Sequence, residues 1–498
     1  GAGVSDRIAV VANGSSIGAA NLGGSLAISP AAGSTVRYAD VYTILTAAGG
    51  VTGTFTNPGS LSAILRPTVL YSTNAVQLRI DAGTYASVID TTSPVQRAYA
   101  ALLDANRAAG KIPDVYGVLD MQDAATIRTT LDALAPRSET LRSALATMTI
   151  DNNSRLIRQR LAALGPNSGN GGTIAYYGRP AQTASLVQNR MRGNLGIPAV
   201  GSLAGYAADN GGPAATEEGK LPETMSAFFA GGYLDGESRP MQFARPASGN
   251  DQFDGWYIAA GIEAELSDNG QFGLALSYTN VDGQTAGAPG GASGSLIQAT
   301  LYSKYNWGKV SLSTQTSVGK FHSKTSRPGN LPGASFTLRS IDDALTLASE
   351  LKLGLNMGTA SFDIVPNAAV RGSWIDFGRS LETGGPTAMV FDRPDFRSIQ
   401  GRLGLDLAGK GKIRPFLSGS FVHDFRTNPY LYNGTFAGAL PGPMVTYNLA
   451  GQDRNWAEVS GGLSIDTGRI GLSLSADTTI GRDDVKNQAY RAAISLRF

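Results

Sequence analysis

From Ser226 to the end of the chain, apolar residues alternate with polar or small ones. Phe272, Leu274, Leu276 and Tyr278 stand against Gly273, Ala275, Ser277 and Thr279; Leu347, Leu351, Leu353, Leu355 and Met357 stand against Ala348, Glu350, Lys352, Gly354 and Asn356. Successive side chains of a strand point to opposite faces, so each such run predicts a strand with one greasy face. The pattern returns in Trp256 to Leu266 against Glu263 and Glu265, in Leu403 to Leu407 against Arg402 and Asp406, and in Ile470 to Ala476 against Ser473, Ser475 and Asp477. Twelve segments have this character, beginning near Ser226, Phe253, Phe272, Leu296, Val310, Ala344, Ala360, Ser398, Ile413, Trp456, Ile470 and Gln488. Some connections are tight, such as SDNG at 267–270 and AGKGK at 408–412, and others are long, such as 281–294 and 427–450.

An even number of long antiparallel strands suits a closed outer-membrane barrel, because lipid offers no water to an open sheet edge. Short turns at one rim and long loops at the other fit a periplasmic and an outer side. A soluble β-sandwich also alternates, but its second face meets water and is expected to be charged. Here that face is Gly, Ala, Ser and Thr with scattered Glu, Lys and Arg, as a narrow lumen requires. Trp256, Trp307, Trp374 and Trp456 lie near strand ends, where an interfacial aromatic belt is expected. The fold class is therefore all-β dominated: a twelve-stranded antiparallel transmembrane β-barrel over 222–498. Its lumen carboxylates are Glu263, Glu265, Glu350, Asp406 and Glu458.

The preceding half reads differently. Residues 1–92 carry short β segments at 6–10, 24–28 and 42–45, a spacing of roughly 18 residues, which suggests the coils of a β-solenoid. A small independent β domain is the other reading. Helical periodicity follows over 93–164. Ser93 and Pro94 supply an N-cap and N1 residue for a helix to Ala109, stopped by Gly110 and Pro113. A second helix is expected over Asp123–Leu134, and a third from Arg137 to about Leu164, with Ile157, Leu161 and Leu164 on one face and Arg155 and Arg158 on another. Residues 165–221, rich in Gly, Pro and Asn with no sustained period, read as a linker.

Composition agrees with two environments. Residues 1–221 hold one Phe, nine Tyr and no Trp; residues 222–498 hold sixteen Phe, nine Tyr and all four Trp. The chain has 63 Gly in 498 residues and 16% charged side chains, against about 25% in ordinary soluble chains. A net charge of +2, with no basic run, gives no field to gather nucleic acid, and none is expected as a partner. No stretch is apolar enough for a transmembrane helix, and the sequence from Gly1 has no leader pattern, so any signal peptide is expected to be gone. Cysteine is absent, which removes disulfides and thiolate chemistry and suits an exported chain. The only histidines, His322 and His423, sit in no metal-ligating spacing, so no metal and no cofactor is predicted. Residues 1–92 contain no Gly-x-Ser-x-Gly elbow, Ser-x-x-Lys pair or phosphate loop.

The segments MSAFFAGGYLDG, WYIAAGIEAEL, FGLALSYTNVDG and LIQATLYSKYNWGKVSLS, with AAISLRF closing at Phe498, together resemble the translocator domain of the type V autotransporters. VYTILTAAGGVTGTFTNP followed by LRPTVLYSTNAVQLRI resembles the autochaperone segment that ends their β-helical passengers. The resemblance implies a Gram-negative outer-membrane barrel that exports or displays its own N-terminal passenger on the cell surface, in contact with lipid and lipopolysaccharide. It implies handling by periplasmic chaperones and by the barrel assembly machinery, which reads the terminal signal Tyr490, Ile494, Leu496 and Phe498. It also implies a helix inside the lumen, for which the final turns before Gly165 are the candidate, with Arg155, Arg158 and Arg160 set against the lumen carboxylates.

In some members the passenger is released by scission between two Asn residues inside the barrel, and Asn152-Asn153 resembles that site. The competing reading of Asp151-Asn152-Asn153-Ser154 is a helix cap. Glu263 and Glu265 share a face and would also suit a glycosidase pair, though a lumen electrostatic role is the simpler expectation. The chain is not expected to be an enzyme toward other molecules. An outer-membrane barrel enzyme, protease or lipid hydrolase, and a passive channel are the alternatives.

Overall fold

A computed structural model describes residues 4–163 and 225–497, apart from 32, 57, 242–248, 268, 288, 427–430, 449–451 and 468–469. The linker expected at 165–221, the end of the third helix at Leu164 and the terminal Phe498 lie outside the described residues.

The chain opens with β1 (Ile8–Val10), β2 (Ala20–Leu22), β3 (Val41–Ala47) and β4 (Val51–Gly53). β1 runs parallel to β3 with Ile8 opposite Leu45, and β2 runs parallel to β4 with Ala20 opposite Val51. Strands stacked in successive coils are thus more than 30 residues apart, not the 18 expected. The shorter spacing separates two faces of one coil. The segment expected at 24–28 forms no strand and contributes a single bridge, Ser25 to Thr56. The hairpin of β5 (Leu65–Tyr71) and β6 (Ala75–Ala82) then pairs antiparallel with β3, which turns the chain out of the coil.

Four helices follow: α1 (Pro94–Ala108), α2 (Pro113–Leu119), α3 (Ala124–Ala133) and α4 (Arg137–Ala163). Ser93 Oγ accepts from Gln96 N at 3.2 Å, so the predicted cap is used; Asp123, expected as the first residue of its helix, instead caps it, Oδ1 accepting from Thr126 N at 2.7 Å. Helix α2 was not expected. Pro113 does stop the preceding helix, but Ile112 adopts φ 48° and redirects the chain so that Pro113 becomes the first residue of a new one. Arg107 of α1 lies over the Tyr85 and Tyr116 rings and pairs with Asp120, which also accepts from Tyr85 Oη at 2.7 Å. Burial nevertheless raises the Asp120 carboxyl above the usual carboxylate range and pushes the Tyr85 phenol up.

The rest is β-structure: β7 (Met225–Ser238), β8 (Asp251–Ser267), β9 (Gly270–Gln284), β10 (Gly291–Trp307), β11 (Val310–Pro328), β12 (Thr337–Leu355) and β13 (Phe362–Asp376); then β14 (Arg379–Leu381), β15 (Met389–Asp392), β16 (Phe396–Gly409), β17 (Ile413–Asp424), β18 (Leu431–Phe436), β19 (Val445–Asn448), β20 (Asn455–Asp466), β21 (Ile470–Ile480) and β22 (Val485–Arg497). Twelve of these close an antiparallel barrel, in which β22 completes the circle by pairing with β7. The other four, β14, β15, β18 and β19, come from the two longest loops and form a separate antiparallel sheet. Most strands start within a few residues of the predicted points. β12 begins at Thr337, seven residues before Ala344, because beyond the apolar band an outward position no longer has to be greasy. Arg339 and Asp343 occupy such positions.

The outward face is apolar: Leu276 is 61% exposed, Leu403 67% and Leu474 66%, each on the outside of a closed barrel. From Trp256 to Leu266 the outward residues of β8 are unbroken in this respect, and ten residues at about 3.3 Å each, tilted by about 40°, span about 25 Å along the barrel axis. That is the height of a transmembrane band. Leu276 sits in its middle, opposite Ala260 on one side and Ala299 on the other. Leu276→Arg is therefore expected to destabilise the barrel by about 2–4 kcal/mol, read as loss of the heat-modifiable form in cold gel migration, whereas the lumen-facing Ser277→Ala leaves migration unchanged.

Candidate functional site

Helix α4 has 27 residues, about 40 Å at the usual rise, enough to traverse the barrel. It enters at the long-loop rim, where Arg137 Nη1 donates to Ala286 O at 2.9 Å. It leaves at the short-turn rim, where Lys304 Nζ donates to Leu161 O at 2.9 Å. All of the helix from Ser138 to Ile157 is buried, so the lumen element is the whole of α4 and not only its last turns. It has no single apolar stripe. Leu141 packs where Gly283 leaves room: a Cβ there would come within 3.1 Å of a Leu141 methyl. Other sides carry charge into the barrel.

Each of those charges meets a wall residue. Arg158 reaches Glu350 on β12 at 2.6 Å and Glu458 on β20 at 2.8 Å. Arg160 forms two bonds with Glu263 on β8, at 2.7 and 2.5 Å, and the same carboxylate accepts from Tyr302 at 2.8 Å and Ser226 at 2.9 Å. Arg155 goes instead to Asp477 on β21 at 2.7 Å and to Asn487 on β22 at 2.7 Å. Asp406 lies away from the helix and binds Lys352 at 2.6 Å. Glu265 is half-buried toward the short-turn rim and pairs with none of the described residues. It does not form a paired site with Glu263, whose carboxylate is fully committed.

The segment Asp151–Ser154 lies in the middle of α4, so the helix-cap reading is overturned: a cap needs non-helical backbone at a helix start, and α4 starts fourteen residues earlier, at Arg137. Asp151 is held by Arg371 of β13 and, at 2.8 Å, by Arg482. Asn152 Oδ1 accepts from Arg491 of β22 at 2.7 Å, and Asn153 Nδ2 donates to Thr300 of β10 at 3.1 Å. Asp477, Arg371, Arg482 and Arg491 were not singled out from the sequence as helix partners. Asp477 shares the polar parity of Ser473 and Ser475 on its strand, a signal that was present in the pattern.

The four Trp do not form one belt. Trp256 (46% exposed) and Trp307 (55%) face outward near opposite rims, packed against Tyr278 and Tyr305 at 5.5 and 4.6 Å between ring centroids. Trp374 is half-buried and its indole donates to Asp395 at 2.9 Å. Trp456 is 3% exposed and points into the barrel, under Arg482 at 4.4 Å. It shares parity with Glu458, and a residue two positions from a lumen carboxylate on one strand cannot face lipid. On the last strand Tyr490 and Ile494 face outward, while Arg491 on the opposite face points in.

Residues 233–479, from within β7 to within β21, match the family described as "Autotransporter beta-domain". The barrel is an autotransporter beta-domain. It is an outer-membrane translocator that exports the passenger carried on the same chain. Among solved structures it is similar to the translocator domain of the autotransporter NalP from Neisseria meningitidis, with 14% identity, 64% of this chain and 100% of that one covered, and a TM-score of 0.45. It is also similar to the beta domain of the Bordetella autotransporter BrkA (15% identity, 55% and 99% covered, TM-score 0.38) and to the transport unit of AIDA-I from Escherichia coli (11%, 64% and 100%, 0.35). No curated protein sequence matches the chain.

In the translocator, removing one partner of a buried ion pair leaves the other desolvated and uncompensated, at a cost of about 3–5 kcal/mol. Arg158→Ala strands Glu350, whose only short ion pair among the described residues is with Arg158, while Glu458 keeps Arg402 at 2.7 Å. The variant is expected to unfold at a lower temperature in gel migration, and a second change, Glu350→Gln, is expected to restore most of the loss.

Proposed function

We propose that α4 is the last stretch of the exported chain left in the pore, with the described residues before Arg137 on the cell surface at the long-loop rim and the end of α4 at the periplasmic rim. The observation that carries this reading is the polarity of α4. It enters among the long loops and ends at Leu161 beside Lys304, at the rim where β7 begins and β22 ends. Short turns belong to the periplasmic side in barrels of this kind. The barrel assembly machinery and periplasmic chaperones are the partners before insertion, with the last strand, including outward Tyr490, Ile494 and Leu496, as the signal they read. Lipid and lipopolysaccharide cover the outward band afterwards.

An epitope tag placed before Gly1 tests this on whole cells treated with protease. Loss of the tag from intact cells, with a heat-modifiable barrel fragment surviving, is the expected result. Loss only after permeabilisation would put the N-terminal segment in the periplasm and end the export reading.

The chain is proposed to act on no other molecule, but one reaction on itself is favoured by a specific observation. Asn152 Nδ2 is buried with no hydrogen-bond partner among the described residues, while Oδ1 of the same side chain is fixed by Arg491. Attack of Nδ2 on the Asn152 carbonyl carbon forms a succinimide as the bond to Asn153 breaks, and the amide proton passes to the departing Asn153 amine. Mass spectrometry of the mature protein is expected to find a fragment beginning at Asn153 in wild type and none in Asn152→Ala. An intact wild-type chain would sink the scission.

A further inference from the structure

The two ends of α4 are buried very differently. At the long-loop end Ser138, Glu139 and Arg142 are all 0% exposed, whereas Ala162 and Ala163 at the other end are open to solvent. A helix in an open pore would be wet at both ends. Something outside the lumen covers the mouth.

The cover has two layers. Just inside the rim, Arg142 pairs with Glu139 of its own helix and with Asp342 of β12, and Arg393, from the loop before β16, lies 3.5 Å from Asp342 and 3.7 Å from Glu139. Above this neck the sheet of β14, β15, β18 and β19 leans over the opening, with Tyr432 Oη 2.6 Å from Ser143 Oγ of α4. Helices α1 to α3 pack on that sheet. Their core is continuous with Met389, Phe391 and Phe436 of the sheet and with Met241 and Leu331 from two further loops. Tyr99 of α1 donates to Leu134 O, contacts Met389 Sδ at 3.1 Å and lies 6.2 Å from the Phe436 ring. Arg327, at the top of β11, holds Glu382 through two bonds of 2.6 and 2.7 Å and donates to Leu134 O at 2.6 Å, tying barrel, loop sheet and the end of α3 together.

We propose that residues 94–134 are a cap for which the loop sheet is the receptor, and that this cap closes the outer mouth independently of the ion pairs that hold α4 in the lumen. The two closures share no side chains: the lumen pairs of Arg155 and Arg158 lie below the neck, and Tyr99, Phe391, Phe436 and Arg327 lie above it. This rests on the translocator reading. It adds that the first folded element outside the membrane is also a gate, and that the loops are shaped for this chain's own helices.

Planar-bilayer conductance of the full chain tests it with four proteins: wild type, a lumen set (Arg155→Ala with Arg158→Ala), a cap set (Tyr99→Asp), and the two combined. Phe436→Asp repeats the cap set from the loop side. Cap variants are expected to expose residues 94–134 to protease while keeping heat-modifiable migration. Wild type and both single sets are expected to stay closed, and the combined set to conduct steadily, on the order of tenfold above either single set, since two independent seals fail only together. A lumen set that conducts as strongly as the combined set overturns the proposal, as does a combined set that stays closed after its cap becomes protease-sensitive. Loss of heat-modifiable migration in the wild type would instead bring down the barrel reading beneath it.

Discussion

A membrane barrel with a polar helix inside it has to neutralise every charge the helix carries, because neither lipid nor a narrow lumen supplies enough water to do so. That requirement organises the molecule. Arg155, Arg158 and Arg160 each fix a different stretch of wall, and Asp151 returns the favour by holding Arg371 and Arg482. The pairs reach around the circumference, from β8 through β12 and β13 to β20, β21 and β22. The helix is thus centred by opposing charges, while small wall residues such as Gly283 admit its apolar side chains. A barrel built for passage keeps its occupant in place by electrostatics that can form only once the helix is in register.

The outside obeys a simpler rule. Over about 25 Å the outward residues are mostly apolar, and the outward Thr316 and Ser349 bond to each other at 3.0 Å; beyond that height the strands continue as ordinary surface β-structure. β12 extends past the band toward Thr337 with Arg339 and Asp343 outward, and the two longest loops fold into a sheet of their own above it. There the chain buries a second core, around Tyr99, Phe391 and Phe436, in water rather than in lipid. The molecule therefore has two hydrophobic arrangements with opposite sense, one facing outward to lipid and one packed inward under solvent.

Strand count, closure and the inward parity of Glu263, Glu350 and Glu458 were legible in the sequence because period-two alternation is imposed locally by the strand itself. The helix start at Ser93 was legible for a similar reason: a capping side chain acts on backbone within its own turn. Trp456 was misread as a belt residue because nearness to a strand end was weighed above its shared parity with Glu458. Helix α2 was missed because the turn at Ile112 places a non-glycine residue in left-handed backbone, which no local preference announces. The 18-residue spacing at the N-terminus was real, but which segments stack depends on how the coil closes.

What the sequence determined by itself is the alternation: one face for lipid, one for the lumen, twelve times, followed by a chain that can close on its own first strand. Which charge answers which was decided only in three dimensions. Arg155 finds Asp477, more than 300 residues away, and Asp151 sits between Arg371 and Arg482, because strands β13, β21 and β22 are brought to one level of the helix by barrel closure and register. The covered mouth belongs to the same category: α1, β11 and the two long loops are distant in sequence, and only the closed barrel sets their side chains over one opening.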